Sequence, residues 1–286
     1  MEKNRPLDAA SGNEVNWLLL DLNSFFASCE QQADENLRGR PVGVVPMLSV
    51  DTTCLLAASK EAKLHFGLKT GTPVGEAKDR CPSLILCQAS HKKYAFYHRE
   101  VLKIIESCLP VTHVLSIDEV ACELTGSHRQ PENALALAHK IKERIRAEFE
   151  FLTSSIGIAP NILLAKLGSD MQKPDGLVLL RPGDLPGKIA HLTPRDFSGI
   201  GPQMEKRLQQ AGIFSIADLY RCNRQKLRRV WGGVEGERFY MKIWGHDVQR
   251  EESQKRVLSH QHVLEPQLRN IQGGYHVLHH LLLKAA

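Results

Sequence analysis

Short apolar runs bounded by proline, glycine or polar residues recur along the first 160 residues, and such runs predict strands of a sheet. The predicted strands cover residues 17–21, 40–45, 54–59 and 154–159. Between and after them, apolar positions recur with the spacing of an amphipathic helix. The predicted helices cover residues 24–35, 61–67, 74–80, 91–108, 132–149 and 160–171. Pro160 is expected to open the last helix, because proline is favoured at the first helical position. The mixture indicates a fold of the α+β class.

The run VLSIDEVACELTG, residues 114–126, alternates in polarity and predicts a strand or a hairpin. In one continuous strand, Asp118 and Glu119 would lie on opposite faces. Two adjacent carboxylates inside an apolar run need a reason, because an unpaired buried carboxylate is costly. The simplest interpretation is that each acid lies at a strand end or a turn and faces water, as most acids do.

A third acid, Asp21, ends another apolar strand. If the two strands pair side by side, Asp21, Asp118 and Glu119 converge. Converging carboxylates repel one another and favour a divalent cation, and ligation by oxygen alone favours Mg²⁺ or Mn²⁺. Mg²⁺ held in this way keeps coordination positions open for the phosphates of a substrate.

The composition is that of an ordinary globular protein, and a membrane protein, a secreted protein or a disulfide-rich protein is not expected. The 286 residues predict two or three domains. No run of about 18 apolar residues occurs, so a membrane span is not expected. The polar N-terminal stretch lacks the apolar core of a secretion signal, so a cytoplasmic location is expected. Seven scattered cysteines without a CxxC pair indicate reduced thiols rather than a disulfide framework or a zinc site.

The net charge of +5 is unevenly distributed along the chain. Residues 174–286 contain 17 Lys and Arg against 11 Asp and Glu, whereas residues 1–173 contain 20 against 21. The C-terminal part is therefore the part expected to face a polyanion. Near residue 176 the pattern changes to short helices punctuated by glycine and proline, which predicts a domain boundary. A polar, charged stretch at residues 248–257 predicts a second joint.

Four blocks of sequence occur in an order that resembles one known family. The blocks are DLNSFFASCEQ (21–31), LSIDEV (115–120), LLAKLGSDMQKPDG (163–176) and FSGIGPQMEKRLQQAGIFSIADL (197–219). Together they resemble the Y-family DNA polymerases, the lesion-bypass class of DinB/UmuC type. The similarity extends from about residue 16 to about residue 265.

The resemblance implies a polymerase right hand. Its parts would be a palm sheet with helices (15–24 and 91–173), small fingers (25–90), a helical thumb with a helix-hairpin-helix (174–247), a tether (248–257) and the start of an incomplete little-finger domain (258–286). Residues 1–14 are expected to form a flexible N-terminus. The chain ends on LLLKAA in the middle of a helical pattern, which we interpret as a C-terminal truncation that weakens the hold on DNA.

The resemblance also implies an active site. Asp21, Asp118 and Glu119 match the catalytic, metal-binding acids of the family, and the backbone carbonyl of Leu22 would add a ligand. Two Mg²⁺ ions, with Mn²⁺ as the alternative, would activate the primer 3′-hydroxyl and stabilise the leaving pyrophosphate. Ser116 and Lys173 are weaker candidates for supporting roles.

A set of residues is expected to bind the incoming nucleotide. The set is Phe25, Phe26, Ser59, Lys60, Lys63 and Lys166. Phe26 matches the position that senses the sugar, because a ring under C2′ leaves no room for a 2′-hydroxyl; both phenylalanines could instead be core residues. Lys166 matches the lysine that reaches the triphosphate, although on its own it would be read as a solvated helix lysine. Lys60 and Lys63 stand where many members have tyrosine and arginine, and lysine keeps the charge but loses the bidentate fork.

The fourth block predicts a helix-hairpin-helix with its tight turn at Gly199, Ile200 and Gly201. The residues expected to pack its helices are Ile200, Leu208, Ile213, Ile216 and Leu219. Such a motif contacts the DNA backbone rather than bases, but similar turns also serve as ordinary helix connectors. Lys206, Arg207 and the run RQKLRR (224–229) are candidate phosphate contacts, although a basic run is more often a solvated face.

The leading hypothesis from these patterns is a template-directed, low-fidelity DNA polymerase that acts on primer-template DNA and deoxynucleoside triphosphates. Its expected partners are a sliding clamp or accessory mutagenesis proteins, and a monomer near the bacterial nucleoid is the expected state. The alternative is a catalytically silent homologue that serves as a DNA-binding adaptor in a repair complex. A helix-hairpin-helix nuclease or glycosylase is a third hypothesis, but it leaves residues 17–126 unexplained.

Overall fold

The computed structural model describes residues 15–48, 53–248, 264 and 266–285. The strands are β1 Trp17–Leu22, β2 Val42–Val45, β3 Ala57–Ala58, β4 Ile85–Gln88, β5 His113–Val114, β6 Glu119–Glu123, β7 Ser154–Ala159 and β8 Leu177–Leu179. The helices are α1 Phe25–Ala33, α2 Lys60–Phe66, α3 Val74–Arg80, α4 His91–Glu106, α5 Pro131–Glu148, α6 Ile162–Met171, α7 Pro202–Gln210, α8 Ile216–Arg221, α9 Arg224–Trp231, α10 Val234–Ile243 and α11 Ile271–Ala285. The predicted α+β class is confirmed.

The chain divides into two compact units, residues 1–248 and residues 249–286. In the second unit, the described residues form a short 3-10 helix at Pro266–Leu268 and the helix α11. The predicted N-terminal segment 1–14 and almost all of the predicted tether lie outside the described residues. The assignment of the first unit to palm, fingers and thumb stays a prediction.

A five-stranded sheet with the order β5-β6-β1-β7-β8 is the centre of the first unit. Strand β1 pairs antiparallel with β6 on one side and with β7 on the other, and β8 joins β7 in parallel. Every residue of β1 is buried. This burial explains its continuous apolar run, because a strand that is covered on both faces does not alternate in polarity.

The two faces of this sheet contact different layers. Leu18 and Leu20 belong to a core that includes apolar residues of α4 and α5, such as Ile105 and Ile141. Leu19 points the other way, into a core shared with α6 and with the helices after residue 200. The helical part of the first unit, between residues 180 and 244, therefore packs on the sheet through a common core rather than standing apart from it.

A second, smaller sheet has the order β3-β2-β4 and packs against α2 and α3. The predicted strand over residues 54–59 is shorter than expected, because only Ala57 and Ala58 pair with β2, and Cys54 makes an isolated bridge to Pro73. Strand β4 was not predicted. Its residues are only partly buried, and its short run lacks a clear period.

Of the two alternatives predicted for residues 114–126, the hairpin is confirmed, and it is formed by β5 and β6. Two details need correction beside the central sheet. Asp118 lies in the turn between the two strands and not on a strand. Pro160 does not open α6. The helix begins at Ile162, and Asn161 caps it by accepting a hydrogen bond from the Leu164 N–H at 3.0 Å. Among the described helices, none combines the length and the apolar character that a membrane crossing requires.

Candidate active site

The pairing of β1 with β6 brings the predicted acids to one end of the sheet. Asp21 lies directly opposite Glu119 in the register of the two strands. Asp118 precedes β6, and its carbonyl accepts a hydrogen bond from the Leu22 N–H at 2.9 Å. The two segments that contain the acids, almost one hundred residues apart in sequence, are therefore neighbours at this edge.

Two lysines offset part of the charge of these acids. Lys166, on α6, places its Nζ 2.5 Å from Asp21 Oδ2 and 2.7 Å from Glu119 Oε1. Lys173, just after α6, lies 2.6 Å from the same Asp21 oxygen. Asp170 joins the cluster through contacts to both lysines at 3.2 and 2.8 Å. Because the Asp21 side chain is only 6% exposed, these ammonium groups supply the pairing that a buried carboxylate needs.

Lys166 is held firmly in its charged form. Burial by itself lowers the pKa of its ammonium, but the hydrogen bonds and charges of Asp21, Glu119 and Asp170 outweigh burial and raise the pKa above its ordinary value. The sequence predicted a lysine at this site as a partner of a triphosphate. Its ion pairs with the acids themselves carried no signal in the sequence.

The turn that contains Asp118 is fixed by side chains on both sides. Ser116 Oγ donates a hydrogen bond to Asp118 Oδ1 at 2.5 Å and accepts one from the Asp118 N–H at 3.3 Å. His98, on α4, places Nδ1 2.8 Å from the carbonyl oxygen of Ile117. Sequence reasoning named Ser116 as a supporting residue and missed His98, which no local pattern distinguishes from the other polar residues of α4.

The two phenylalanines at the start of α1 have different surroundings. Phe25 is 3% exposed and belongs to the core. Phe26 is partly buried, and its ring stacks on Tyr94 with a centroid distance of 4.2 Å and an angle of 11°. The hydroxyl of Tyr94 donates a hydrogen bond to Glu30 Oε1 at 2.7 Å. Of the two residues, Phe26 is thus the one that stays partly exposed, with its ring stacked on Tyr94.

The three candidates around α2 differ in their freedom to meet a ligand. The hydroxyl of Ser59 is fully buried and used inside the fold, where it caps α2 and bonds the Val42 N–H and the Arg40 carbonyl. Lys60 is exposed at the first position of the helix. The pKa of Lys63 is lowered, first by burial and then by the positive charge of Lys173, while Asp21 acts in the opposite direction. Of the three acids, Asp21 is the one whose charge acts on Lys63.

The donors at this edge suit a hard divalent cation. They are carboxylate oxygens of Asp21, Asp118 and Glu119 together with the Leu22 carbonyl, and oxygen-only sets favour Mg²⁺ or Mn²⁺ over softer metals. Within the described part of the chain, no three His, Cys, Asp or Glu side chains are arranged to hold a metal ion. Instead, the Lys166 ammonium lies between the carboxylates of Asp21 and Glu119.

The predicted helix-hairpin-helix region folds with the expected core. Its five predicted packing residues are all buried: Ile200, Leu208, Ile213, Ile216 and Leu219. The turn at Gly199 has φ +91°, a conformation that favours glycine. It joins a 3-10 helix to α7, on which Lys206 and Arg207 are exposed.

The basic run at the start of α9 is partly neutralised. Arg224 and Arg228 both contact the carboxylate of Glu237, at 2.7 and 2.6 Å. The exposed Lys206 and Arg207 of α7 are therefore the stronger candidates for phosphate contacts.

Comparison with known proteins assigns this architecture to a family. The family model described as IMS, the impB/mucB/samB family, matches residues 20–170, which include all the acids and Lys166. The chain therefore belongs to this family, which is the Y family of DNA polymerases. Relatives include DNA polymerase IV of Moorella thermoacetica, 42% identical over 202 residues, which cover 71% of this chain and 50% of the relative. DNA polymerase IV of Pelotomaculum thermopropionicum is 40% identical over 217 residues, or 76% of this chain and 54% of the relative.

Solved structures of the family share the fold. An insertion ternary complex of Dbh DNA polymerase superposes with a TM-score of 0.73 at 27% identity, over 82% of this chain and 69% of that chain. DinB from Sulfolobus solfataricus gives a TM-score of 0.69 at 27% identity, over 80% and 66% of the two chains. The chain spans about half the length of the curated family members described above.

Proposed function

We propose that the chain contains the active site of a template-directed DNA polymerase of the low-fidelity, lesion-bypass type. The observation that carries this proposal is the position of Asp21, Asp118 and Glu119 at one end of β1 and β6, in a chain of the Y family. All three acids are retained, which argues against a catalytically silent adaptor. The reaction would extend a primer 3′-hydroxyl with a deoxynucleotide and release pyrophosphate.

The proposed metal ligands are the three carboxylates and the carbonyl of Leu22. Two Mg²⁺ ions, or Mn²⁺, would supply an activated primer hydroxyl and stabilise the charge of the leaving pyrophosphate. The central sheet serves this role because paired strands hold Asp21 and Glu119 in a fixed register.

The lysines of the site would bind the triphosphate. Lys166, Lys173 and Lys63 concentrate positive charge beside the acids, and a triphosphate entering with its cations would find ammonium groups already within reach. Lys60 would add charge from the start of α2. Phe26 would lie under the sugar, and its stacking on Tyr94 supports a fixed ring.

The DNA backbone would be bound by the turn Gly199–Gly201 together with Lys206 and Arg207. The observation behind the DNA contact is the exposure of both basic side chains on α7 next to a glycine turn.

We further propose that the protein acts as a monomer in the cytoplasm, with a sliding clamp or accessory mutagenesis proteins as partners.

Incorporation of a single deoxynucleotide into a primer-template tests the proposal. Wild type is expected to add the nucleotide complementary to the template base, and only when Mg²⁺ or Mn²⁺ is present. Asp118→Ala is expected to lose at least about a hundredfold in rate, whereas Glu143→Ala, an exposed acid of α5, should match wild type. If wild type binds primer-template and never extends it, the polymerase proposal is wrong and the adaptor hypothesis replaces it.

A further inference from the structure

Lys142 is a buried lysine for which the sequence predicted no role. It lies on α5 with only 6% of its side chain exposed. Its ammonium donates to the backbone carbonyls of Ser154, Asp175 and Gly176 and to Asp175 Oδ1, the last at 2.6 Å. Four acceptors around one ammonium offset part of the cost of its burial, although burial still lowers the pKa of Lys142.

Asp175 is the partner that Lys142 shares with a second cation. Arg146, one turn further along α5, donates to Asp175 Oδ2. Asp175 also has φ +62°, a left-handed conformation that non-glycine residues seldom adopt. Burial alone would raise the pKa of this carboxyl group, but Lys142 and Arg146 together hold the pKa below its ordinary value. Asp175 is therefore held in its charged form and in a left-handed backbone conformation.

The segment around Asp175 is the link between α6 and β8, and it contains Lys173. Lys173 lies two residues before Asp175 and contacts Asp21 Oδ2 at 2.6 Å. Gly176, which follows Asp175, accepts a hydrogen bond from the Ile156 N–H at 3.0 Å and donates one to Ser155 Oγ at 3.3 Å. The link is short, and its contacts with α5 on one side and β7 on the other hold it in place. The backbone at Lys173 therefore has little freedom to move.

A buried ion pair can often be replaced by apolar side chains without loss of stability, since desolvation offsets most of the attraction. The ion pairs of Asp175 are therefore of interest for what they position. Here the element they fix is the one that delivers an ammonium group to the most buried acid of the site.

We propose that the cluster Lys142–Asp175–Arg146 positions Lys173 against Asp21 and thereby sets the affinity for the triphosphate of the incoming nucleotide. This inference rests on the proposed polymerase function. Lys142, Asp175 and Arg146 are positioning residues, because they act through Lys173 and touch neither the substrate nor the acids.

A double-mutant cycle tests the inference. Asp175→Asn removes the charge while asparagine still tolerates the left-handed conformation. It is expected to raise the KM for the incoming nucleotide about tenfold and to leave kcat within about twofold. In a Lys173→Ala background the same substitution should change KM by less than about twofold, because its effect passes through Lys173. Glu100→Gln, which breaks an exposed ion pair with Lys103 on α4, is the matched control and should leave both constants unchanged.

Arg146→Gln is a second variant that keeps the inference testable if Asp175→Asn does not fold. Its side chain is 51% exposed, so the fold should tolerate the change, and a smaller rise in KM is expected that again disappears in the Lys173→Ala background. Equal rises in KM with and without Lys173, or no rise at all, would overturn the positioning role while the polymerase function stands. A wild type that incorporates no nucleotide would overturn both.

Discussion

At the scale of single residues, the site combines burial with charge. Asp21 is almost completely buried, and Lys166 and Lys173 both contact its carboxylate. Phe26 shows a different balance, since its ring stacks on Tyr94 while the residue stays partly exposed. In both cases the neighbour that matters comes from a distant part of the chain.

Replacing Phe26 with alanine should relax the choice of sugar. Removing the ring opens the space under C2′, so incorporation of ribonucleotides should rise relative to deoxynucleotides by about tenfold or more. Phe25→Leu is the matched control, because Phe25 lies in the core and should affect stability rather than sugar choice. Single-nucleotide incorporation with each sugar measures the ratio, and an unchanged ratio in Phe26→Ala would remove Phe26 from this role.

Asp175 should make stability depend on pH in the acid range. Its folded pKa lies below the ordinary value of 3.8 because Lys142 and Arg146 outweigh the effect of burial. A lowered pKa contributes stability that is complete above the unfolded pKa and is lost as the pH falls through the folded pKa. The difference in free energy of unfolding between wild type and Asp175→Asn should therefore shrink below about pH 4. Urea unfolding at a series of pH values measures this, and a difference that stays constant would contradict it.

At the scale of elements, the contact between β7 and α6 places Lys166 beside the acids. At Gly157 the strand and the helix approach backbone to backbone, and a Cβ there would lie 1.8 Å from the carbonyl oxygen of Ala165. Ala165 is the residue before Lys166. The absence of a side chain at Gly157 thus determines how close the lysine comes to Asp21.

Gly157→Ala should accordingly be severely destabilising. The added methyl group meets backbone atoms that cannot move aside cheaply, so a loss of about 3 kcal/mol or more is expected. Gly187→Ala, where nothing lies within 4 Å of the added atom, should change stability by less than about 0.5 kcal/mol. Urea or thermal unfolding distinguishes the two, and similar effects in both variants would show that the close approach of β7 and α6 is misjudged.

Most elements could be predicted from the sequence because they depend on local patterns. The continuous apolar run of β1 and the helical spacing of α5 both gave segments that the structure confirms. Asp118 was misplaced on a strand, because polarity alternates through residues 114–120 although the backbone bends at residues 116–118. Pro160 was taken as a helix start because its preference for that position is strong, but Asn161 provides the better cap.

The partners of the site could not be predicted in the same way. The ion pairs of Lys166 with Asp21 and Glu119, the stack of Tyr94 on Phe26 and the bond of His98 to the Asp118 turn all join separate segments. Periodicity reports which face of one element is apolar, and it contains no information about which side chain of another element comes within bonding distance. The acids themselves were found because carboxylates in apolar runs are unusual.

At the scale of the whole chain, the excess of basic residues after position 174 and the exposure of Lys206 and Arg207 suit a polyanionic partner. Each phosphate contact that is lost should weaken DNA binding about equally for all sequences and reduce the slope of log K against log salt by about one. Lys206→Ala and Arg207→Ala are expected to behave in this way, and Lys140→Ala on α5 should not. Fluorescence anisotropy at several salt concentrations measures the slopes, and unchanged slopes in both α7 variants would exclude this surface as the DNA contact.

The binding of Mn²⁺ tests most directly whether Asp21, Asp118 and Glu119 act together as one cation centre. Electron paramagnetic resonance can count the bound ions on wild type and on Asp118→Ala, each with a dideoxy-terminated primer-template and the matching deoxynucleotide so that no reaction occurs. Wild type is predicted to bind two ions and Asp118→Ala to bind fewer, or the same number at least about tenfold more weakly. Equal numbers bound with equal affinity in the two proteins would contradict the proposed active site.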